Sequence, residues 1–268
     1  MATCKCWAAV LISSLKQTSV RLILALFVPA FTLVLATVAS LHAQSPATVP
    51  ARYMGRDIAT TMHYTGADWL MRESRQREED CKRLLKELNV KPGQVICDIG
   101  CGNGFYTLKL AQLTGKTGRV YAVDIQQEML DMLQQRAKAA KLENIVPLLG
   151  TETATGLPDN SIELMLMVDV YHEFSRPAAM LKAIRKSLKS TGRIALVEFR
   201  TEDPKVPIKP EHKMSKQQIF KEFPANGLNL TGQFDELPWQ HLMFFSQDGA
   251  RQISGNPKAA KATEGSVQ

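Results

Sequence analysis

Hydrophobic and polar positions follow two periods along the chain, one helical and one extended. Between residues 68 and 89, apolar or long-stemmed side chains recur at helical spacing around a heavily charged centre: Trp69, Leu70, Cys81, Leu84, Leu85 and Leu88. This spacing predicts one amphipathic helix. Pro92 and Gly93 end it, and the apolar, β-branched run at residues 95–99 predicts a buried strand.

From residue 105 the pattern alternates between helix and strand. Helices are predicted at residues 105–113, 129–142 and 178–188, the last ended by Thr191 and Gly192. Strands are predicted at residues 120–125, 145–149, 162–168 and 193–199. Alternation on this scale predicts an α/β fold, doubly wound, with helices on both faces of a mainly parallel sheet.

The alternation ends near the C-terminal side of this region. After a predicted helix at residues 216–223, two apolar runs at 228–234 and 242–245 are joined by a short link. A link of this length permits only antiparallel pairing. The sequence therefore predicts a Rossmann-like, seven-stranded sheet that is mainly parallel and finishes in a C-terminal antiparallel hairpin.

The first 43 residues have a different character from the rest. A sparse basic stretch precedes an apolar run at residues 22–39, and small residues follow it. This order is typical of a signal peptide, with cleavage before Gln44 or Leu41. The run is also long enough to be an uncleaved membrane anchor, and translation from Met54 would instead give a cytoplasmic protein.

The remaining chain divides into three parts. Residues 44–67 contain a polar, Pro-containing linker and a possible lid, for which His63, Tyr64 and Trp69 are candidates, although they would serve equally as packing residues. Residues 68–246 form the predicted domain. Residues 247–268 are rich in Gly, Ala, Lys and Ser, which predicts a disordered tail.

Charge and cysteine content exclude several classes of site. Lys and Arg exceed Asp and Glu by 33 to 26, but the cations are scattered, so no nucleic-acid surface is indicated. Outside the leader the cysteines are Cys81, Cys97 and Cys101, an odd number without metal-ligand spacing. We therefore predict neither a disulfide framework nor a metal site.

A glycine-rich loop follows the first predicted strand of the domain. Gly100, Gly102 and Gly104 lie at its carboxyl end, where open α/β sheets bind ligands. Glycines there let the backbone approach a ligand closely, and the following helix points amide groups at it. The spacing is GxGxG rather than the dinucleotide GxGxxG, and Asp98 before it suits a ligand with an ammonium group better than a pyrophosphate.

A second acidic residue ends the next strand. Asp124 is placed to accept hydrogen bonds from both hydroxyls of a ribose, a device that nicotinamide-binding domains also use. Asp124 alone could equally form a turn. Together with Asp98 and the three glycines it favours S-adenosylmethionine-type binding over a nicotinamide cofactor.

These segments resemble the class I S-adenosylmethionine-dependent methyltransferase superfamily over about residues 80–246. The resemblance rests on residues 98–104, 122–124, 157–158 and 192–194, and the final hairpin is also typical of that superfamily. Segments 53–56, 62–66, 169–174 and 238–241 resemble exported bacterial methyltransferase-domain proteins of unassigned substrate. The small-molecule branch with the quinone-biosynthesis C-methyltransferases and the arsenite methyltransferases is also similar.

The resemblance implies the cofactor and its contacts. Asp98 would contact the methionine end of S-adenosyl-L-methionine, the glycines would cradle it, and Asp124 would bind the ribose. Thr151 and Glu152 would flank the adenine. Because many relatives have Asp where Thr151 stands, Glu152 is the alternative adenine contact.

Catalytic candidates follow the strand at residues 162–168. Methyl transfer depends mainly on placing a nucleophile in line with the methyl group, and a base is needed only when the acceptor must lose a proton. Asp169, Tyr171 and His172 are the candidates, with His172 the best base, although shaping the pocket is the other role open to it. Glu198 faces the same rim and is more often structural.

The acceptor class follows from what the sequence lacks. With only Cys81 outside the strand and loop, arsenite is disfavoured because it needs several thiols. No macromolecule-recognition domain is visible, so we expect a small-molecule acceptor, with an aromatic or quinone-like one suggested by Met165, Met167, Trp239, Met243 and Phe244. The alternative is an exported, non-catalytic metabolite-binding protein that keeps the fold. The oligomeric state does not follow from the sequence.

Overall fold

The computed structural model describes residues 52–247. Two short strands, β1 (Arg52–Tyr53) and β2 (Arg56–Asp57), form a separate antiparallel pair. A 3₁₀ helix at Tyr64–Met71 follows, and then two short helices, α1 (Arg75–Glu79) and α2 (Cys81–Glu87). The predicted leader and tail lie outside the described residues, apart from Gln247, which ends the last strand.

The main domain alternates strand and helix as the pattern predicted. Its elements in chain order are β3 (Val95–Ile99), α3 (Phe105–Thr114), β4 (Arg119–Asp124), α4 (Gln127–Ala139), β5 (Ile145–Leu149), β6 (Ile162–Val168), α5 (Pro177–Ser187), β7 (Leu188–Phe199), α6 (Lys216–Ala225), β8 (Leu228–Phe234) and β9 (Gln240–Gln247). The largest shifts from the predicted bounds are the earlier start of β7 and the earlier end of α4.

The sheet confirms the predicted fold. Its strand order is β5-β4-β3-β6-β7-β9-β8. The first five strands of that order pair in parallel, and β9 pairs antiparallel with both β7 and β8. The order reverses between β3 and β6, and ligands bind open α/β sheets at such a point.

The core explains why helices cover both faces. Neighbouring residues of a strand point to opposite faces, so Met165 and Met167 of β6 pack in a cluster with α5 and α6. Leu164 and Leu166 of the same strand pack on the other face with α2 and α3. Each central strand therefore carries apolar residues on both faces.

The single helix predicted over residues 68–89 is wrong. The chain there breaks at residues 72–74 and again at Asp80, which has a left-handed φ of 46°. Because of these breaks, two arginines contact the carboxylate of the fully buried Glu79. Nη2 of Arg72 lies 2.5 Å from its Oε1, and Nε of Arg75 lies 2.7 Å from its Oε2. Asp80 then caps α2 by accepting a hydrogen bond from the amide of Arg83. Charges that suggested a solvated helix face instead form a buried network.

Candidate active site

The glycine loop between β3 and α3 is fixed against the carboxyl end of β4. The amides of Gly100 and Cys101 both donate to one carbonyl oxygen of β4, at 2.8 and 3.1 Å. Gly100, Gly102 and Gly104 have φ values of +67°, +52° and +86°, where other residues are strained. A Cβ on Gly100 would lie 2.3 Å from Cγ2 of Val170. The three glycine positions therefore have no room for a side chain.

Asp124 joins this loop to the ligand side of β4. Its Oδ2 accepts a hydrogen bond from the amide of Gly102 at 2.9 Å, and its Oδ1 accepts one from the amide of Gln126 at 3.0 Å. Burial raises the pKa of Asp124, and these amide donors lower it in part. Asp124 and the half-exposed Ile125 both line the cavity described below. Ribose binding by Asp124 stays a prediction.

Asp98 lies beneath the loop, outside the lining of the cavity. Its Oδ2 accepts a hydrogen bond from the hydroxyl of Thr107 at 2.6 Å. Burial raises the pKa of Asp98 to about 7, and the charge of Asp124 adds to the rise, while Thr107 and Arg75 oppose it. Asp98 is not among the residues that line the cavity, and its contact with a methionine ammonium stays a prediction.

The residues expected beside an adenine do line the cavity. Thr151 and Glu152 follow β5 and are exposed at its edge. Thr151 is also a turn residue, because its Oγ1 accepts hydrogen bonds from the amides of Thr153 and Ala154. Because the hydroxyl of Thr151 already accepts these hydrogen bonds, Glu152 is the better candidate of the two for a contact with a ligand.

Asp169 holds a strained position at the carboxyl end of β6. Its φ is 50°, and its Oδ2 accepts a hydrogen bond from Nε2 of Gln240 at 2.6 Å. Its Oδ1 is buried without a partner among the described residues, and the residue lines the cavity. Burial, together with the charges of Glu79 and Glu198, raises the pKa of Asp169 well above its usual range. A ligand donor would satisfy the unpaired oxygen.

His172 is fixed by a buried carboxylate. Its Nδ1 lies 2.6 Å from Oε2 of Glu198, and Oε1 of Glu198 accepts hydrogen bonds from the amides of Tyr171 and His172. Burial alone would lower the pKa of His172, but the charge and hydrogen bond of Glu198 raise it above its usual value. Glu198 contacts the imidazole and not the cavity, so it is a positioning residue.

Two further residues complete this end of the cavity: Glu173, which the sequence places at the same rim as His172, and His212, which the sequence did not single out. His212 comes from a 3₁₀ turn, Pro210–His212, and its Nδ1 lies 3.1 Å from Nε2 of His172. Oε1 of Glu173 lies 3.9 Å from the same nitrogen and 3.7 Å from Nδ1 of His212. Burial raises the pKa of Glu173 to about 7. Burial and the nearby His172 lower the pKa of His212.

The structure corrects the placement expected for Tyr171. Its side chain is fully buried in the core, and its hydroxyl donates a hydrogen bond to Oε2 of Glu222 at 2.5 Å. Glu222 also pairs with Arg56 at 2.7 Å. Tyr171 does not line the cavity, so its hydroxyl cannot reach a ligand there, and only its backbone belongs to the site.

One cavity of about 690 Å³ connects these groups. It reaches from Gly100, Gly102 and Asp124 to Asp169, His172 and His212. This volume is within the range of small-molecule sites. The cavity therefore places the predicted cofactor end and the predicted acceptor end in one continuous space.

Residues that precede β3 line part of this cavity, among them Trp69 of the three lid candidates, and their role as a lid stays a prediction. Thr60, Thr61, Met62, Trp69 and Leu70 line the cavity. The side chain of Gln126 holds the segment by donating to the carbonyl of Met62 and accepting from the amide of Tyr64, at 2.9 and 2.8 Å. His63 is exposed and caps the 3₁₀ helix. The cover is thus built from apolar and hydroxyl side chains.

The apolar residues suggested for an acceptor do not form its pocket. Met165, Met167 and Met243 are fully buried in the core, and neither Trp239 nor Phe244 lines the cavity. The three methionines lie on strands, and their side chains point into the core between the sheet and the helices on one face. The apolar lining at this end comes instead from loop residues, one helix residue and the last residue of β7: Val170, Phe174, Met180, Phe199, Pro207 and Ile208.

Comparison with known proteins identifies the family. A model of the "Methyltransferase domain" family matches residues 90–243, which span β3 to β9. The chain belongs to this methyltransferase-domain family. The glycine loop, Asp124 and the residues after β6 are therefore parts of a class I S-adenosylmethionine-dependent methyltransferase domain, and the family implies S-adenosylmethionine as its cosubstrate.

Curated relatives share only part of their length with this methyltransferase domain. The demethylmenaquinone methyltransferase of Lactobacillus johnsonii is 30% identical over 145 residues, which cover 53% of this chain and 57% of that protein. The enzyme of the same name from Geobacillus stearothermophilus is 24% identical and covers 67% of this chain and 73% of that protein.

Solved methyltransferase structures match the domain more completely. A SAM-dependent methyltransferase from Aquifex aeolicus is 25% identical, with a TM-score of 0.65, over 69% of this chain and 98% of that chain. A putative S-adenosyl-L-methionine-dependent methyltransferase from Methanococcus maripaludis is 14% identical, with a TM-score of 0.56, and shares the fold.

Proposed function

We propose that the protein transfers the methyl group of S-adenosylmethionine to a small-molecule acceptor bound at the His172 end of the cavity. The observation that carries this proposal is the single cavity that joins the glycine loop and Asp124 to Asp169 and His172. A cofactor held at the first end would direct its methyl group towards the second.

The shape and lining of the cavity favour a small, partly apolar acceptor. Met62, Trp69 and Leu70 cover part of the space, and its volume of about 690 Å³ suits a small molecule. Aromatic and aliphatic side chains line much of the acceptor end, and Asp169, His172, Glu173 and His212 supply its polar groups. Sites with this composition bind small molecules through apolar contact and a few directed hydrogen bonds.

The chemistry of the proposed step is a direct displacement. The acceptor atom attacks the methyl carbon, the carbon–sulfur bond breaks, and its electron pair stays on the sulfur of S-adenosylhomocysteine. The sulfonium is already activated, so the protein contributes mainly by holding the two reactants in line. We assign the acceptor end to Asp169 and to His172, whose ring is fixed by Glu198.

Calorimetry tests the cofactor half of the proposal. We expect protein lacking residues 1–43 to bind S-adenosylmethionine or S-adenosylhomocysteine and to bind NAD far more weakly. Equal or tighter binding of NAD would overturn the proposed function. Incubation with methyl-labelled S-adenosylmethionine and a reduced naphthoquinone then tests the acceptor class suggested by the demethylmenaquinone methyltransferases.

An Asp124→Ala variant tests the position of the cofactor. We expect its affinity for S-adenosylhomocysteine to fall by about 1–3 kcal/mol, the usual cost of leaving buried hydroxyls without a charged acceptor. Asp131→Ala is the control, because Asp131 is an exposed residue of α4 outside the cavity lining, and its carboxylate accepts a hydrogen bond from Nε2 of Gln127. If both variants bind as the parent does, the ribose is held elsewhere.

A further inference from the structure

Three potential metal ligands converge at the acceptor end of the cavity. Nε2 of His172, Nδ1 of His212 and Oε1 of Glu173 all lie within 4.8 Å of one another. They come from two separate 3₁₀ turns, Tyr171–Glu173 and Pro210–His212, that the fold brings together. We propose that His172, Glu173 and His212 bind a divalent transition-metal ion.

The distances between the three atoms fit one ion. The triangle has sides of 3.1, 3.7 and 3.9 Å. A point equidistant from its corners lies about 2.1 Å from each, which matches the usual length of metal–imidazole and metal–carboxylate bonds. A hydrogen bond alone would explain the contact between the two imidazoles. It would not explain why the carboxylate oxygen faces the same point.

The groups behind the ligands are those that orient metal ligands. Glu198 contacts Nδ1 of His172, which leaves Nε2 to face the ion, and a carboxylate behind a histidine ligand is the common arrangement in metal sites. Oε1 of Glu173 accepts a hydrogen bond from the amide of Met62 at 3.2 Å, so the carboxylate is also held in place.

The donor set selects the class of ion. Two imidazoles and one carboxylate suit zinc, iron, cobalt and related transition metals, whereas magnesium and calcium prefer oxygen donors alone. The charges agree, because the carboxylate of Glu173 faces this point and the buried Glu198 supplies a second negative charge behind the imidazole of His172. Lys209, an exposed cation that lines the same cavity, comes three residues before His212 in the sequence.

Three protein ligands leave coordination positions for a substrate. His172, Glu173 and His212 all line the cavity, so an acceptor oxygen can complete the coordination. A hydroxyl that binds there loses its proton to solvent as the metal–oxygen bond forms, because a divalent ion lowers the pKa of bound oxygen. This part rests on the proposed function and narrows the acceptor to molecules with an ionisable hydroxyl.

Metal ligation replaces the base role that the sequence suggested for His172. A histidine that binds an ion through Nε2 while Nδ1 contacts Glu198 has no nitrogen left to accept the acceptor's proton. The ion would take over the same task by stabilising the ionised hydroxyl. His172 then acts by holding the ion, and Glu198 acts by holding His172.

Cobalt(II) titration of chelator-treated protein tests the site without an acceptor. We expect one ion per chain, with visible absorption bands of a low-coordinate cobalt site, and displacement of cobalt by one equivalent of zinc. His212→Ala and Glu173→Gln should lose the bands, and both should fold, because His212 is partly exposed and Gln has the shape of Glu. Glu198→Gln should weaken binding by about 10- to 100-fold. His63→Asn is the control, because His63 is exposed and outside the cluster.

The outcomes separate this inference from the proposed function. Stoichiometric binding that His212→Ala and Glu173→Gln abolish, and that His63→Asn keeps, supports the site. Absent binding, or equal binding in all the variants, overturns it. S-adenosylhomocysteine affinity, measured on the same samples, reports on the proposed function alone. If that affinity is absent while the metal site persists, the proposed function fails and the metal site stands.

Discussion

Gly102 shows how one backbone position opens the cofactor end of the cavity. Its φ is +52°, and a Cβ there would lie 2.6 Å from Cδ1 of Leu70. Leu70 belongs to the segment that covers the cavity, so the absent side chain is what lets cover and loop approach each other. A β-branched residue at this φ is also strongly disfavoured.

We therefore expect Gly102→Val to abolish S-adenosylhomocysteine binding in a protein that still folds. The matched control is Gly115→Val, because Gly115 also has a positive φ, +66°, but nothing lies within 4 Å of the Cβ position. Both variants carry a backbone strain of about 1–3 kcal/mol. Calorimetry and circular dichroism measure binding and folding separately. Unchanged affinity in folded Gly102→Val would show that the loop does not hold the ligand.

The raised pKa of Asp98 leads us to expect that cofactor binding depends on pH. Its pKa is about 7 in the unliganded protein, chiefly because of burial, and Arg75, Thr107 and Asp124 are the groups that act on it. A bound sulfonium and ammonium favour the ionised carboxylate and so release its proton. Affinity for S-adenosylmethionine should then rise as pH increases from 5.5 to 7, by at most about tenfold.

The measurement is a series of calorimetric titrations across this pH range with the parent and Asp98→Asn. The amide cannot titrate, so the affinity of the variant should change less with pH. Only the parent should release a proton on binding, which appears as a binding enthalpy that varies with the ionisation enthalpy of the buffer. Identical profiles in the two proteins would assign the pH dependence to another group.

The sequence predicted the residues of the candidate site only where a local pattern marks their position. Gly100, Gly102, Gly104 and Asp124 stand at the ends of predicted strands, where periodicity and residue type suffice. His212 lies in a loop 40 residues beyond His172, and no local pattern connects the two. Tyr171 was wrongly predicted to line the site, because its neighbours in the sequence line the cavity while its own side chain packs in the core.

Among the elements, the short helices α1 and α2 depend on buried charge. Glu79 is fully buried and bound by Arg72 and Arg75, whose guanidinium groups also stack on Trp69 and Phe105 at 3.7 and 4.2 Å. This network connects the cavity cover to the helices of the main domain. Its position means that folding of the cover is coupled to folding of the domain.

We expect Glu79→Ala to lower the free energy of unfolding by about 3–5 kcal/mol, because it leaves the buried Arg75 without its carboxylate and removes one of the two that bind Arg72. Glu87→Ala is the control, since the Arg83–Glu87 pair is partly exposed and such pairs contribute at most about 1 kcal/mol. Urea unfolding followed by circular dichroism measures both. Similar losses in the two variants would mean that the network adds no stability.

The elements of the sheet were predictable because strand periodicity is local, whereas the region before it was not. The alternation from β3 to β9 depends on apolar runs that each strand carries in its own sequence. Between residues 68 and 89 the same kind of spacing predicted one helix. Arg72, Arg75 and Glu79 could be recognised as a buried network only after tertiary contacts brought them together, so polarity was mistaken for exposure.

At the scale of the whole molecule, the family match and the cavity do not have the same limits. The family model covers residues 90–243, but Thr60, Thr61, Met62, Trp69 and Leu70 also line the cavity. The segment before the domain is therefore part of the site. No helix within residues 52–247 is long and apolar enough to span a membrane.

The last prediction concerns the leader, which lies outside the described residues. Its order of basic, apolar and small residues predicts export and a mature chain that begins near Gln44 or Leu41. Cleavage at either point, or translation from Met54, keeps every residue that lines the cavity, since the first of them is Thr60. Cofactor binding by a shortened protein therefore cannot distinguish these origins.

The N-terminal sequence of protein purified from native cells does distinguish them, together with fractionation by an antibody. A terminus near Gln44 or Leu41 in the exported fraction is the expected result, whereas an intact Met1 peptide in that fraction would reject cleavage and favour an anchor. Export also has a chemical consequence, because S-adenosylmethionine is made in the cytosol. If the mature terminus is found beyond the membrane, the cofactor must reach the cavity there, and labelled S-adenosylmethionine supplied to intact cells should become bound to the exported protein.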